Sequence, residues 1–301
     1  MNKFYLKTFL ITLSFCFAQS LNQDEREIQR FVENKTSEAI DLLEKIVNIN
    51  SGTLNIKGNQ KVGKILQKEL DKLGFNTYWV TYPKEVKRSG HLFAEMRGGK
   101  GKKITMVGHL DTVFEKDHPF QKFVRKGNKA YGPGVDDMKS GDVSMLYIMK
   151  ALNHIGKLKD MNLTLVFIGD EEKLGAHYSI VRKELIDAGK WADIGLGFEG
   201  ATGIETGTIA RRSASSWILT TTGIQGHSSR VFSETLGYGA IFEASRIINS
   251  FREELAEEEY LTFNPGVIVG GTDTNYDPVN ARGTAFGKTN VVSQEVTVHG
   301  G

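Results

Sequence analysis

The side chains of this chain that could do chemistry are a histidine and a set of carboxylates placed where hydrophobic segments give way to turns. His109-Leu110-Asp111 follows the apolar run Ile104-Thr105-Met106-Val107-Gly108. Downstream stand Asp137, the adjacent pair Glu171-Glu172, and Glu199. One imidazole and several acids at strand ends can hold divalent metal ions and activate water, so a metal-dependent hydrolase is the first expectation. A lone acid is more often a helix cap, an ion-pair partner or a solvated loop residue. Four such sites in order between positions 109 and 199 are much harder to account for that way.

Coordination chemistry suggests roles. A ligating histidine usually hands its second ring nitrogen to a carboxylate, and Asp111 is well placed in sequence to receive it from His109. The side chains of neighbours Glu171 and Glu172 should diverge, so one suits metal binding while the other faces the metal's water as general base. Coordination lowers the pKa of such a water from ~15.7 to about 7, which makes it a nucleophile at neutral pH.

These residues need a scaffold, and the hydrophobic periodicity supplies one. Ile28, Phe31, Val32, Ile40, Leu42, Leu43 and Ile46 form the stripe of a helix over 22–48. A second helix is expected from Gly58 to Leu73, short strands over Thr77–Tyr82 and His91–Met96, and a strand at Ile104–Val107 followed by a long loop to Gly134. The glycine-rich turn Gly132-Pro133-Gly134-Val135-Asp136-Asp137 leads into a helix over Met138–Ile155. Leu163–Ile168 is continuously apolar, as expected of a strand covered on both faces. A helix over Tyr178–Ala188 and a strand at Ile194–Phe198 follow. Strands alternating with helices argue for an α/β sheet flanked by helices, whose ligand site lies at the carboxyl ends of its strands. From about residue 213 the texture becomes α+β: a strand near Ser215–Thr222, a helix over Gly237–Phe251, and strands near Val267–Val269 and Val291–Val298.

Composition narrows the function classes. The chain has 301 residues and a net charge of +2, which Lys3 and Lys7 alone account for, so the rest carries no basic excess for nucleic acid. Residues 1–20 read as an export signal: the two lysines, an apolar core over Phe9–Phe17, and the small-x-small site Ala18-Gln19-Ser20. An exported protein, periplasmic or secreted and free of the membrane after cleavage, is expected. The single cysteine, Cys16, falls inside this leader, so any metal must be held by nitrogen and oxygen.

The order His-x-Asp, Gly-x-Gly-x-x-Asp-Met-Lys-x-Gly, Asp-Glu-Glu and a further Glu resembles the M20 metallopeptidase family, with Tyr131–Gly141 and Gly169–Lys173 closest to its glutamate carboxypeptidase branch. The resemblance runs from about residue 35 to the end. It implies a zinc-peptidase-like mixed sheet over 21–212 with an inserted α+β lid and dimerisation domain over 213–301. It also implies two divalent ions, zinc foremost with cobalt or manganese as alternatives. On that pattern His109 and Glu199 hold one ion, Glu172 the other, and Asp137 bridges them. Glu171 is then the general base and Asp111 the clamp on His109, while Asp136 is not a ligand. His227, in Gly226-His227-Ser228, matches a lid histidine that polarises the scissile carbonyl, and Asn290 matches a substrate-binding asparagine. The implied function is hydrolysis of a peptide or amide bond beside a free carboxylate. The alternatives are deacylation of an N-acyl amino acid, and an inactive fragment or pseudoenzyme. A homodimer through the lid is implied as well.

In the family the chain returns from the lid to supply a last histidine to the second ion. Here it stops at His299-Gly300-Gly301, within an expected lid strand, so a truncated sequence lacking that ligand is expected and His299 is not recruited in its place. His91, His118, His154 and His177 match no motif position.

Overall fold

A computed structural model describes residues 21–174, 178–203, 206–278 and 281–301. The expected leader at 1–20 lies outside the described residues, as does His177. The chain divides into two compact units, Met1–Gly207 and Thr208–Gly301.

The first unit begins with helices α1 (Gln23–Val47) and α2 (Ile56–Lys72). Asn22 and Glu25 start α1 with a reciprocal capping box, each side chain accepting the other's backbone N–H. Asn55 caps α2 by accepting the Gly58 N–H. Strands β1 (Asn76–Val80), β2 (His91–Arg97) and β3 (Lys103–His109) follow. The stretch expected as a loop to Gly134 contains a hairpin, β4 (Val124–Lys126) and β5 (Lys129–Tyr131), with Gly127 at φ +61° in its turn. Its strands are short, charged and exposed, so they leave no alternating pattern in the sequence.

Helix α3 (Ser140–His154) and strand β6 (Asn162–Ile168) come next. The helix expected over 178–188 is two pieces, α4 (Tyr178–Val181) and α5 (Lys183–Trp191), parted at Arg182, before strand β7 (Ile194–Gly197). The strands form a mixed sheet in the order β1-β2-β6-β3-β7. β6, β3 and β7 are parallel; β2 runs antiparallel to both of its neighbours, β6 and the edge strand β1. Leu163, Leu165 and Phe167 of β6 pack with α1, α2 and α3, while Val166 and Ile168 face Ala188 of α5. That two-sided burial is the physical origin of β6's unbroken apolar run.

In the second unit, β8 (Trp217–Thr222), β12 (Glu295–Gly300) and β9 (Pro265–Gly271) form a sheet with β12 central. Helix α6 (Ala240–Leu255) packs Ala240 and Ala244 on Val296 and Val298. A hairpin, β10 (Asp273–Asp277) with β11 (Arg282–Phe286), was not expected. The strand expected from Val291 starts only at Glu295, because Ser293 is engaged otherwise: its carbonyl and hydroxyl accept the Ala240 and Ile241 N–H groups at the start of α6. Among the described residues no helix is long and apolar enough to cross a membrane.

Candidate metal centre

The register of the three parallel strands aligns their carboxyl ends. His109 of β3 lies beside Ile168 of β6, and Val107 beside Gly197 of β7. The chain leaving β6 therefore carries Glu171 and Glu172 to one side of His109, and the chain leaving β7 carries Glu199 to the other. Asp137 arrives from above α3, out of the turn Val135–Lys139, with a cis peptide between Asp137 and Met138. Two features hold that turn. Lys139 is fully buried, and its ammonium donates to the carbonyls of Ile46 and Ile49 at the end of α1, at 3.1 and 3.2 Å. Gly141 lets α3 approach the end of β7, since a Cβ there would lie 2.1 Å from the Phe198 carbonyl oxygen.

The side chains converge on the His109 ring, which is buried, while Asp137, Glu171 and Glu199 are exposed and Glu172 is half-buried. His109 Nε2 is 2.9 Å from Asp137 Oδ1, 3.5 Å from Glu199 Oε1 and 4.0 Å from Glu171 Oε2. Donor atoms of His109, Asp137 and Glu172 all lie within 4.8 Å of one another; Asp136 is not among them. The other ring nitrogen, Nδ1, is 3.0 Å from the backbone carbonyl of Asp111 and 3.6 Å from its carboxylate. The hydrogen bond that orients the imidazole thus goes to the main chain of Asp111, where the sequence suggested its side chain. The carboxylate of Asp111 instead accepts the backbone N–H of Glu171 and Glu172 and the Thr53 hydroxyl.

Electrostatics is consistent with a cation site. Burial, then the Asp137 carboxylate, push Glu172 up to about 7. Glu199 is also raised, first by burial and then by Asp137 and Glu171, with His109 opposing. Burial pulls His109 down, but Asp111, Asp142, Glu199 and Glu171 together hold it above the usual histidine value. Asp142, fully buried in the first turn of α3 with neither carboxylate oxygen hydrogen-bonded, is pushed well up by burial. So many acids around one imidazole carry more negative charge than the protein itself neutralises, and a divalent cation would relieve it. One imidazole and three or four carboxylates, with no thiolate, fit zinc, cobalt or manganese. Asp142 and Thr53 did not stand out in the sequence, and Lys139 entered only as a motif lysine without a role: a Ser-Gly-Asp at a helix start reads as ordinary capping, and burial at a strand crest leaves no periodic trace.

The remaining expected residues lie in the second unit. His227 is exposed, bridges to Val291, and precedes a short turn whose Ser229 N–H its Nδ1 accepts at 3.2 Å. The Asn290 carbonyl accepts the Ser228 N–H at 2.9 Å, so His227 and Asn290 belong to one local structure. His299 lies in β12 and meets the Tyr276 hydroxyl at 2.5 Å.

Comparison with known proteins gives a consistent picture. The model of Peptidase family M20/M25/M40 matches residues 105–299. Carboxypeptidase G2 of Pseudomonas sp. is 30% identical over 250 residues, covering 80% of this chain and 57% of that protein. Aminoacylase-1A of Rattus norvegicus is 30% identical over 183 residues, 56% of this chain and 42% of its own length. The chain thus spans little more than half the length of the first of these relatives and less than half of the second. Among solved structures, aminopeptidase PepT from Bacillus cereus superposes with a TM-score of 0.58 at 17% identity, over 91% of this chain and 65% of that one, a likeness of fold.

Proposed function

The chain belongs to Peptidase family M20/M25/M40, and on that premise we propose that it hydrolyses a peptide or amide bond beside a free carboxylate. The observation that carries the proposal is the convergence of Asp137, Glu171, Glu172 and Glu199 on the buried His109 ring. His109 and Glu199 would hold one divalent ion, Glu172 the other, with Asp137 between them. When bound, the ions supply Lewis-acid polarisation of the scissile carbonyl and acidify water.

The protein's own groups do the rest. The Glu171 carboxylate takes a proton from the attacking water as its oxygen bonds to the carbonyl carbon, and returns that proton to the leaving nitrogen as the C–N bond breaks. The Asp111 carbonyl fixes the His109 ring, and its carboxylate fixes the Glu171-Glu172 backbone. We assign His227 to stabilising the developing oxyanion and Asn290 to holding substrate. The same reading extends to a homodimer through the second unit and to export with loss of residues 1–20.

Carboxypeptidase action is favoured over deacylation because the likeness to carboxypeptidase G2 covers 80% of this chain and that to the aminoacylase 56%. The test supplies Zn²⁺ or Co²⁺ and compares N-blocked dipeptides with N-acetyl amino acids, following amine release. Faster release of the C-terminal residue from the dipeptides is expected. A preference for the N-acetyl amino acids transfers the proposal to deacylation, and turnover of neither overturns it.

A further inference from the structure

We propose that Arg182 is a positioning residue for the metal centre, holding through Asp170 the turn that presents Glu171 and Glu172. The proposal rests on reading the His109 cluster as a metal centre. Arg182 sits at the break between α4 and α5, buried, and its guanidinium forks onto a single residue. Nη1 donates to the Asp170 carboxylate at 2.6 Å and Nη2 to the Asp170 carbonyl at 3.1 Å. Asp170 is fully buried, so its side chain points inward, opposite to the exposed Glu171 that follows it.

The same turn is fastened one residue earlier. The Gly169 N–H donates to His91 Nδ1 at 3.2 Å, and the Gly169 carbonyl accepts the Ser89 hydroxyl at 3.1 Å. With Nδ1 accepting, His91 carries its proton on Nε2 and donates to the Val181 carbonyl at 2.9 Å, which also accepts the Tyr82 hydroxyl. No side chain fits at Gly169, where a Cβ would lie 2.0 Å from Ser89 Oγ. One residue after Asp170 the Asp111 carboxylate takes over, accepting the Glu171 and Glu172 N–H groups.

Residues 169–172 are therefore gripped on the inner side by Ser89, His91, Arg182 and Asp111, and only the two glutamate side chains face outward. Arg182 is the one permanently charged cation among those four. Its planar fork fixes side chain and main chain of Asp170 together, which a lysine's single ammonium does not reproduce. A buried ion pair is weak evidence for stability by itself. Placed directly behind two metal-facing carboxylates, this pair instead keeps ligand and base at fixed separation.

The experiment titrates the metal-free protein with Zn²⁺ and records the visible absorption of its Co²⁺ form, for wild type, Arg182→Met, Arg182→Lys and Asp170→Asn. Leu70→Ala, a core truncation in α2, serves as a destabilised control. Arg182→Met and Asp170→Asn are expected to weaken Zn²⁺ binding by about 10–100-fold and to shift the Co²⁺ bands. Arg182→Lys should recover part of the loss, and Leu70→Ala should leave affinity and spectrum unchanged. Wild-type affinity and an unaltered Co²⁺ spectrum in Arg182→Met, or in Asp170→Asn or Arg182→Lys where the methionine variant does not fold, would overturn the proposal. A wild-type protein that binds no Zn²⁺ would instead overturn the metal-centre reading beneath it.

Discussion

Asp111, just beyond β3, accepts the backbone N–H of Glu172 at 3.1 Å, and its second carboxylate oxygen takes the N–H of Glu171 at 3.0 Å. One carboxylate thus ties the strand end carrying His109 to the turn carrying the proposed ligand and base. Asp111→Asn keeps the shape but turns an amide donor toward a donor. It is expected to destabilise the fold by about 1–3 kcal/mol, since a buried group loses its partner, and to weaken Zn²⁺ binding by about 10–100-fold. Urea unfolding and a zinc titration on the same variant check both effects.

Glu171 and Glu172 should separate cleanly by function. Glu171→Gln is expected to lower turnover by about 10²–10⁴-fold, the usual contribution of a general base, while leaving Zn²⁺ affinity near the wild-type value. Glu172→Gln should lower the affinity itself. Parallel kinetics and metal titrations decide it, and equal loss of affinity in both variants would count against the division of roles.

The raised Glu172 pKa, about 7 in the metal-free protein, has a pH signature. Its folded value exceeds the ordinary 4.5, so the folded state binds more protons between about 4.5 and 7. The stability this confers is fully present below 4.5 and is lost as pH rises through 7. Metal-free wild type should therefore lose stability relative to Glu172→Gln across that window, and Zn²⁺ should remove the difference at pH ~8, where the metal takes the proton's place. Zinc affinity should fall as pH drops below 7, because the ion must displace the Glu172 proton. Denaturant melts at a series of pH values, with and without Zn²⁺, measure both trends.

Gly141→Ala tests the packing that brings α3 against β7. The added methyl would meet the Phe198 carbonyl, and the backbone must move. A loss of about 1–3 kcal/mol is expected from overpacking, with weaker metal binding because Asp137 and Glu199 lie on either side of that contact. A thermal melt and a zinc titration check it.

Much of this was legible in the sequence because it rests on local signals. The unbroken apolar run of β6, the stripe of α1 and the glycine-rich turn before Asp137 each encode their element directly. Strand-end position picked out His109, Glu171, Glu172 and Glu199 because parallel strands deliver the residues beyond their carboxyl ends to one edge. The features hidden from a sequence reading depend on distant contacts. Asp111 supports the glutamate turn through its carboxylate and His109 through its carbonyl, and no spacing rule distinguishes the two. Arg182 looks like an ordinary residue of an amphipathic helix until Asp170, twelve positions earlier, is found beneath it. The β4–β5 hairpin is too short and polar to leave a periodic trace.

The most direct test of the central claim is anomalous diffraction at the zinc edge from crystals grown with Zn²⁺. A peak about 2.0–2.2 Å from His109 Nε2 and from a carboxylate oxygen of Asp137 or Glu199 is expected. Absence of density there, or zinc held elsewhere with His109 still hydrogen-bonded to Asp137, would contradict the assignment of this strand edge as a metal centre.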